Sequence, residues 1–253
     1  MTKQKQLVNK ELLDKTRYKA IFFDFGDTIA FNNQTFPDSL HKILKSIGVY
    51  VDEDKLRSVI FKADTGELQE ERKKNRERES YREFRIKYYK YVLNQLGYSH
   101  MERYAEYIQN VIGYYHSTYL KPETFYVLDV LRKENYKLGI VSNFSHALPW
   151  ICDELGITKK IDFITYSDDV GVEKPEPQIF YDALEKAGVN PGEVIHVGDS
   201  YAADVIGARS VGITPILIIG NNKKEYEDCI CIENLIDILN IMKINHKNSI
   251  NAY

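Results

Sequence analysis

The stretch AIFFDFGDT (residues 20–28) begins with four apolar residues and then reaches Asp24. A short run that is apolar on both faces is typical of a buried strand in a parallel sheet. An acidic residue directly after such a strand lies at its carboxyl end, where the functional groups of open α/β sheets collect. The sequence therefore predicts a buried strand that carries a functional aspartate.

Four more apolar runs, each ending in a polar or turn residue, follow later in the chain: KLGIVS (137–142), FITYS (163–167), VIHVGD (194–199) and PILIIG (215–220). Between them, PQIFYDALEKAG (177–188) has an apolar stripe at helical spacing, with Pro177 in the first turn and Gly188 at the stop. Strands and helices that alternate after residue 121 predict an α/β fold with a doubly wound parallel sheet.

The interval 34–120 shows a different pattern, because its apolar residues recur at helical spacing and no strand signal separates them. We expect a bundle of four helices, inserted after the first strand, whose apolar stripes fall within 40–47, 56–63, 81–96 and 104–119. The predicted domains are a core of residues 1–33 and 121–253, with residues 1–18 as a polar N-terminal extension, and a helical insert of residues 34–120.

The charge balance argues against a polyanionic partner. The chain has 34 Lys and Arg against 37 Asp and Glu, a formal net charge of -3, so we expect neither nucleic-acid binding nor attraction to an acidic membrane. The first 18 residues lack the apolar core of a signal peptide, and no long apolar run suggests a membrane span. Three cysteines do not suggest a disulfide framework. We therefore expect a soluble, cytoplasmic protein.

The residues that end the predicted strands form a chemically consistent set. These are Asp24, Ser142 with Asn143, and Asp199, joined by Lys174 on the loop GVEKPEP. Mg²⁺ prefers one or two carboxylates together with water and substrate oxygens, and the two aspartates would supply them. A lysine would neutralise charge on phosphoryl oxygens, and a serine would donate a hydrogen bond there. Each residue alone is also an ordinary turn residue, so the prediction depends on the combination.

Four ordered motifs resemble those of the haloacid dehalogenase (HAD) superfamily: DFGDT (24–28), IVSN (140–143), EKPEPQIF (173–180) and HVGDSYAADVIGA (196–208). The helical insert after the first motif is similar to the cap of that superfamily. The resemblance implies a Rossmann-like core with an inserted helical-bundle cap. It also implies a hydrolase, in most members a Mg²⁺-dependent phosphatase that works through an aspartyl-phosphate.

The resemblance also implies roles for individual residues. Asp24 would be the nucleophile, and Mg²⁺ would be held by Asp24, the backbone carbonyl of Gly26 and Asp199. Ser142, Asn143 and Lys174 would complete the catalytic set, and Asp27, Thr28 and Asp204 would support it. His196 lies within a predicted buried strand, so we expect a packed core residue there.

The first motif departs from the superfamily at one position. HAD phosphatases usually carry Asp-x-Asp-Gly-Thr, in which the second aspartate is the general acid and base. Here Gly26 stands at that position and Asp27 at the usual glycine. Asp tolerates left-handed backbone angles, so the turn itself can form. The missing proton transfer is typically worth about a hundredfold to ten-thousandfold in rate.

Three hypotheses accommodate Gly26. The chain is a phosphatase for substrates with good leaving groups or with a substitute acid, a 2-haloacid dehalogenase, or a binding or regulatory protein with a weakened site. Haloacid dehalogenases need no metal and typically lack the acidic residue that Asp199 supplies here. Their sequence pattern also includes an arginine soon after the first motif. The stretch AFNNQTFPDSL (30–40) has no arginine. We therefore favour a metal-dependent phosphatase of a small phosphorylated metabolite, as a monomer or homodimer.

Overall fold

A computed structural model describes residues 13–66, 68–75, 77–115, 117–220 and 226–245, without the side chains of residues 114 and 115. Most of the predicted N-terminal extension, residues 1–12, lies outside the described residues. The helices that the structure describes include none with both the length and the apolar character needed to cross a bilayer.

The chain divides into two compact units. The core unit holds the described residues up to Ala30, Leu120–Asn143, and the described residues from Cys152 onward, whereas the helical unit holds Phe31–Tyr119 and Phe144–Ile151. The segment that follows the second motif thus groups with the helices. The sequence predicts this segment, residues 144–151, as part of the core.

The strands are β1 (Ala20–Phe23), β2 (Ala30–Asn32), β3 (Thr118–Leu120), β4 (Lys137–Ser142), β5 (Phe163–Tyr166), β6 (Val194–Gly198), β7 (Thr214–Ile218) and β8 (Ile230–Ile232). Six of them form one sheet in the order β5-β4-β1-β6-β7-β8, and β2 pairs with β3 in a separate two-stranded sheet. Every pairing within the six-stranded sheet is parallel. The predicted doubly wound α/β fold is confirmed.

Strand β1 lies inside the sheet, with all four of its residues buried. Phe23 is in register with Ile140 of β4 on one side and with Val197 of β6 on the other. The chain first adds strands on the β4 side and then returns to add β6, so the strand order reverses at β1. Asp24, the residue after β1, therefore lies at the topological switch point, where α/β sheets bind their ligands.

The helices are α1 (Phe36–Ser46), α2 (Glu53–Thr65), α3 (Gln69–Lys74), α4 (Arg78–Gln95), α5 (Ala105–Tyr115), α6 (Thr124–Lys133), α7 (Leu148–Glu154), α8 (Ser167–Val170), α9 (Pro177–Ala187), α10 (Gly207–Ser210) and α11 (Asp237–Ile241). Short 3₁₀ turns span Lys15–Arg17, Ser99–Tyr104, Thr158–Lys160 and Pro191–Glu193, and Tyr201–Ile206 is a π-helical turn. Helix α9 starts at Pro177 and ends before Gly188, whose φ of 63° is left-handed, as its sequence predicts.

The helical unit has a hydrophobic core of its own, to which α1, α2, α4 and α5 contribute residues such as Leu40, Leu56, Tyr88 and Ile108. The expectation that the interval 34–120 contains no strand is wrong at its end. Helix α5 ends at Tyr115, and Tyr119 lies in β3 with its ring 5.9 Å from that of Phe31 in β2. The helical spacing of Tyr119 was therefore coincidental.

Candidate active site

Asp24 is the residue on which the site is built. Its backbone N–H donates to the carbonyl of Val197, 2.8 Å away, so the pairing of β1 with β6 continues through it. The residue is buried. Its carboxylate oxygen Oδ1 accepts a hydrogen bond, whereas Oδ2 has no partner among the residues that the structure describes. One oxygen is therefore fixed and the other is available.

Lys174 supplies the hydrogen bond to Asp24. Its ammonium nitrogen Nζ lies 2.7 Å from Oδ1 of Asp24 and 2.6 Å from Oδ1 of Asp204, and its side chain is only 2% exposed. Burial alone would lower the pKa of Lys174, but the adjacent carboxylates of Asp24 and Asp204 raise it above its ordinary value. The lysine therefore remains charged and bridges the two carboxylates.

Asn143 fixes the backbone that carries this lysine. Its side-chain Nδ2 donates to the carbonyl of Lys174 over 3.0 Å, and its Oδ1 accepts from the Lys174 N–H over 2.6 Å. The predicted site residue thus uses both ends of its amide to position Lys174. Ser142, the preceding residue at the end of β4, is buried, and its hydroxyl has no hydrogen-bond partner among the described residues.

Asp204 is held on both of its carboxylate oxygens. Oδ1 accepts from Lys174 and from Nε2 of His196, 2.8 Å away, and Oδ2 accepts from the N–H of Ser200 over 3.0 Å. Burial alone would raise the pKa of Asp204, but the His196 hydrogen bond and the Lys174 charge lower it below its usual range. A Cβ at Gly198 would overlap the carboxyl group of Asp204, so that position requires glycine. Asp204 is therefore placed to orient its neighbours.

Asp199 lies beyond the end of β6 and is the exposed member of the acidic cluster. One carboxylate oxygen from each of Asp24, Asp199 and Asp204 lies within 4.8 Å of the others. Partial desolvation, followed by the like charges of Asp24, Asp204 and Asp27, raises the pKa of Asp199 to about 6. The cluster thus has more negative charge than Lys174 neutralises.

This donor set fits Mg²⁺, the cation implied by the sequence. Hard carboxylate oxygens are its preferred ligands, and the three clustered carboxylates around the single ammonium group of Lys174 leave negative charge that a cation would balance. Among the described residues, the fully buried hydroxyl of Thr28 also lacks a hydrogen-bond partner. Because Asp204 has both oxygens bonded within the protein, Asp24 and Asp199 are the carboxylates open to a cation.

The turn that follows Asp24 has the geometry expected from its sequence. Asp27 is exposed and has a φ of 51°, a left-handed angle that aspartate tolerates. Lys121 donates from its ammonium group to the carbonyl of Asp27, which ties the turn to the chain after β3. A Cβ at Gly26 would meet no atom within 4 Å. The position that lacks the acid therefore has room for a Cβ atom.

Two residues of this region were missed as members of the site. His196 is fully buried and its ring packs edge-on against Phe180, with centroids 5.2 Å apart, which confirms the predicted core residue. It also reaches Asp204, a role that the sequence analysis did not assign. The sequence signal for this role is the presence of a polar ring, that of His196, within the otherwise apolar strand β6. Lys121 gave no comparable signal, because it lies outside the four motifs.

The family model of the haloacid dehalogenase-like hydrolases matches residues 18–212, which is most of the chain. The chain belongs to this family. The four motifs and the fold described above agree with that membership, and the hydrolase class predicted from the sequence is confirmed at the level of the family.

Individual relatives match shorter parts. Haloacid dehalogenase-like hydrolase domain-containing protein 3 of Mus musculus is 43% identical over 90 residues, which is 36% of each chain. Glyceraldehyde 3-phosphate phosphatase of Methanopyrus kandleri is 35% identical over 120 residues, covering 45% of this chain and 50% of that protein. The chain therefore spans between about a third and a half of the length of these relatives.

One solved structure matches a larger part of this chain than these relatives do. The HAD phosphatase from Thermococcus onnurineus has a TM-score of 0.58 and 27% identity, and the match covers 88% of this chain and 97% of that one. Both proteins therefore share the HAD fold.

Proposed function

We propose that this chain is a Mg²⁺-dependent phosphatase that hydrolyses a small phosphorylated metabolite through an aspartyl-phosphate on Asp24. The observation that best supports this proposal is the contact of one buried lysine, Lys174, with both Asp24 and Asp204 beside the exposed Asp199. The proposed nucleophile, the ammonium group of Lys174 and the acidic cluster are thus close together at the switch point of the sheet. The phosphatase names of two of the matched proteins point the same way.

In the first step, Oδ2 of Asp24 attacks the phosphorus in line with the leaving oxygen. The new bond joins Oδ2 to phosphorus, and the leaving oxygen departs with the electron pair of the broken P–O bond. In the second step, water attacks the aspartyl-phosphate, releases inorganic phosphate and restores the carboxylate. Lys174 keeps Oδ1 engaged throughout, so the attacking oxygen does not rotate away.

Asp24, the carbonyl of Gly26 and Asp199 would hold Mg²⁺, which supplies charge neutralisation at the phosphoryl oxygens. The hydroxyls of Ser142 and Thr28 are available as donors to the same oxygens, because neither has a hydrogen-bond partner among the described residues. In this proposal the helical unit corresponds to the cap of the family.

The departing oxygen needs a proton, and Gly26 has no side chain that could donate one. The proposal therefore favours substrates whose leaving oxygen is a weak base. Asp27 is the nearest carboxyl group in sequence to Gly26, and its charge contributes to the raised pKa of Asp199, so it lies in the electrostatic surroundings of the acidic cluster. It is the candidate for a substitute acid.

The test is a screen of phosphate esters and 2-haloacids, with Mg²⁺ and with a chelator. We expect phosphate release from an activated aryl phosphate that depends on Mg²⁺ and disappears in Asp24→Asn. Asp54→Asn, which changes an exposed aspartate of α2, is the matched control and should keep the activity of the wild type. Activity that survives in Asp24→Asn would remove this residue from the nucleophilic role.

Dehalogenation remains the second candidate, because Gly26 lacks the acid that a phosphatase usually carries. A dehalogenase would release chloride from 2-haloacids in the presence of the chelator. That result would replace the phosphatase proposal. Saturable binding of phosphate esters without turnover of any compound would instead favour a binding or regulatory protein.

A further inference from the structure

The guanidinium group of Arg85, on helix α4, lies among three aromatic rings of the helical unit. Its central carbon is 4.8 Å from the ring centroid of Phe36, 5.1 Å from that of Tyr88 and 4.9 Å from that of Tyr89. The rings of Tyr88 and Tyr89 are themselves buried, and the arginine is partly buried. We call these three rings and the arginine the Arg85 cage.

This cation has no counterion in the described part of the chain. Among the described residues it makes one hydrogen bond, from Nη2 to the hydroxyl of Tyr89. No carboxylate oxygen of a described residue lies within ion-pair distance of it, although four other arginines of the chain, Arg57, Arg82, Arg132 and Arg209, each have one. A guanidinium has five N–H donors, so four remain without a protein partner among the described residues.

A charge that is removed from water is costly unless it is paired. Aromatic rings offset part of this cost by attracting the cation to their faces. They do not use the N–H groups, which lie in the guanidinium plane and point outward from its edge. The cage therefore stabilises the charge and leaves a planar set of donors available.

We propose that Arg85 is an oxyanion-binding residue of the helical unit, whose ligand is the carboxylate or phosphate group of a small molecule. Two parallel N–H groups of a guanidinium match the two oxygens of either group, which gives a bidentate contact that a lysine cannot reproduce. The ligand would supply the missing counterion. This site stands on the geometry of the helical unit and does not depend on the chemistry proposed at Asp24.

Arg82 provides a matched control on the same helix. It is exposed, and its Nη2 lies 3.1 Å from Glu106 and 2.9 Å from Asn110, so its charge is already paired. Arg82→Gln and Arg85→Gln remove the same charge from helix α4. A general effect of net charge on anion binding would appear in both variants, whereas a specific site at Arg85 would appear in one.

The test is calorimetric titration of the full chain with inorganic phosphate in the presence of EDTA. Without a divalent cation, the carboxylates of Asp24, Asp199 and Asp204 repel phosphate, which isolates the site at Arg85. We expect saturable binding by the wild type and by Arg82→Gln, binding at least tenfold weaker by Arg85→Gln, and intermediate binding by Arg85→Lys. Equal affinity in Arg85→Gln and the wild type, or no saturable binding by the wild type, would overturn the proposal.

The cage also packs against the core of the helical unit, so Arg85→Gln is checked by circular dichroism and thermal unfolding in a chloride buffer. If that variant does not fold, Arg85→Lys carries the comparison, because it keeps the charge within the same rings. Affinity of Arg85→Lys equal to that of the wild type would then count against a bidentate site.

The anionic group could belong to the substrate or to a separate effector, and kinetics would distinguish these sources. This arm rests on the proposed phosphatase activity, whereas the calorimetry does not. If the group belongs to the substrate, Arg85→Gln raises KM at least tenfold for phosphate esters with a second anionic group and leaves KM unchanged for a neutral aryl phosphate. If a separate molecule binds, both KM values stay unchanged and the weakened phosphate binding persists.

Discussion

The ammonium nitrogen of Lys174 lies 2.7 Å from Oδ1 of Asp24, although 150 positions of sequence separate the two residues. The contact brings the loop before α9 to the end of β1 and leaves the second oxygen of Asp24 open. Lys174 reaches Asp204 as well, so its single charge serves two buried carboxylates. The orientation of the proposed nucleophile therefore depends on the ammonium group of Lys174, which two carboxylates hold.

Replacement of Lys174 by methionine should destabilise the fold strongly. Asp24 and Asp204 would both remain buried without their partner, and breaking a buried ion pair typically costs about 3–5 kcal/mol. Urea unfolding in EDTA would measure this loss. Lys186→Met is the matched control, because Lys186 pairs with Asp182 over 2.6 Å at a half-exposed position of α9, where such pairs contribute about 0.5 kcal/mol or less. Equal losses in the two variants would contradict the role of Lys174.

His196→Phe should separate packing from hydrogen bonding. Phenylalanine keeps an aromatic ring against Phe180 but removes the donor to Asp204. Loss of one hydrogen bond to a buried carboxylate typically lowers the free energy of unfolding by about 1–3 kcal/mol. Asp204 should then hold Lys174 less firmly. We expect a lower free energy of unfolding and, in the proposed phosphatase, a lower kcat with little change in KM.

His196→Gln is the informative companion, because its amide retains an N–H donor of similar reach. It should recover part of the stability and of kcat. If His196→Gln and His196→Phe behave alike, the hydrogen bond to Asp204 has no functional weight and the histidine serves the core alone.

The strands of the core unit could be predicted because burial on both faces leaves a direct trace in composition. Phe22 and Phe23 alternate between the two faces of β1, and both are fully buried. The positions of Asp24, Ser142 and Asp199 follow from the ends of such runs. The ion pair of Lys174 with Asp24 has no local signature, because loop conformation and strand order bring these residues together.

Other features depend on contacts that no single stretch of sequence contains. The hydrogen bond from His196 to Asp204 requires the π-helical turn after Ser200 and the absence of a side chain at Gly198. The Arg85 cage joins the start of α1 to the middle of α4. The apolar spacing wrongly predicts that α5 continues to Tyr119, because this residue matches the helical spacing by chance. The pairing of β3 with β2 determines the conformation of Tyr119.

Gly26→Asp should raise the turnover of poor substrates. The backbone of Gly26 is not left-handed, and a Cβ there would meet no atom within 4 Å, so a side chain can be attached there without a backbone clash. It would restore a group able to protonate the leaving oxygen, an effect typically worth about a hundredfold to ten-thousandfold. We expect a gain of at least about tenfold in kcat on alkyl phosphates and a much smaller one on aryl phosphates. Equal gains on both classes would argue against a missing acid.

Mg²⁺ binding should weaken as the pH falls below about 6, because the pKa of Asp199 is raised to about 6 and a protonated carboxyl is a poor ligand. At pH 5 about one-tenth of the group is ionised, so the affinity for Mg²⁺ should be about tenfold lower than at pH 8. Titration calorimetry at several pH values would measure this dependence.

The raised pKa of Asp199 also determines how the stability of the metal-free protein changes with pH. A carboxyl whose pKa is higher in the folded state stabilises the fold below its unfolded value, near 3.8, and this contribution is lost as the pH rises through about 6. Added Mg²⁺ should therefore raise the unfolding temperature most above pH 6. Asp199→Asn should abolish this gain in unfolding temperature, whereas Asp27→Asn should retain it. In Asp27→Asn, the loss of Mg²⁺ affinity should occur at a lower pH, because one of the charges that raise the pKa of Asp199 is gone. An affinity that does not change between pH 5 and pH 8 would exclude Asp199 as a ligand.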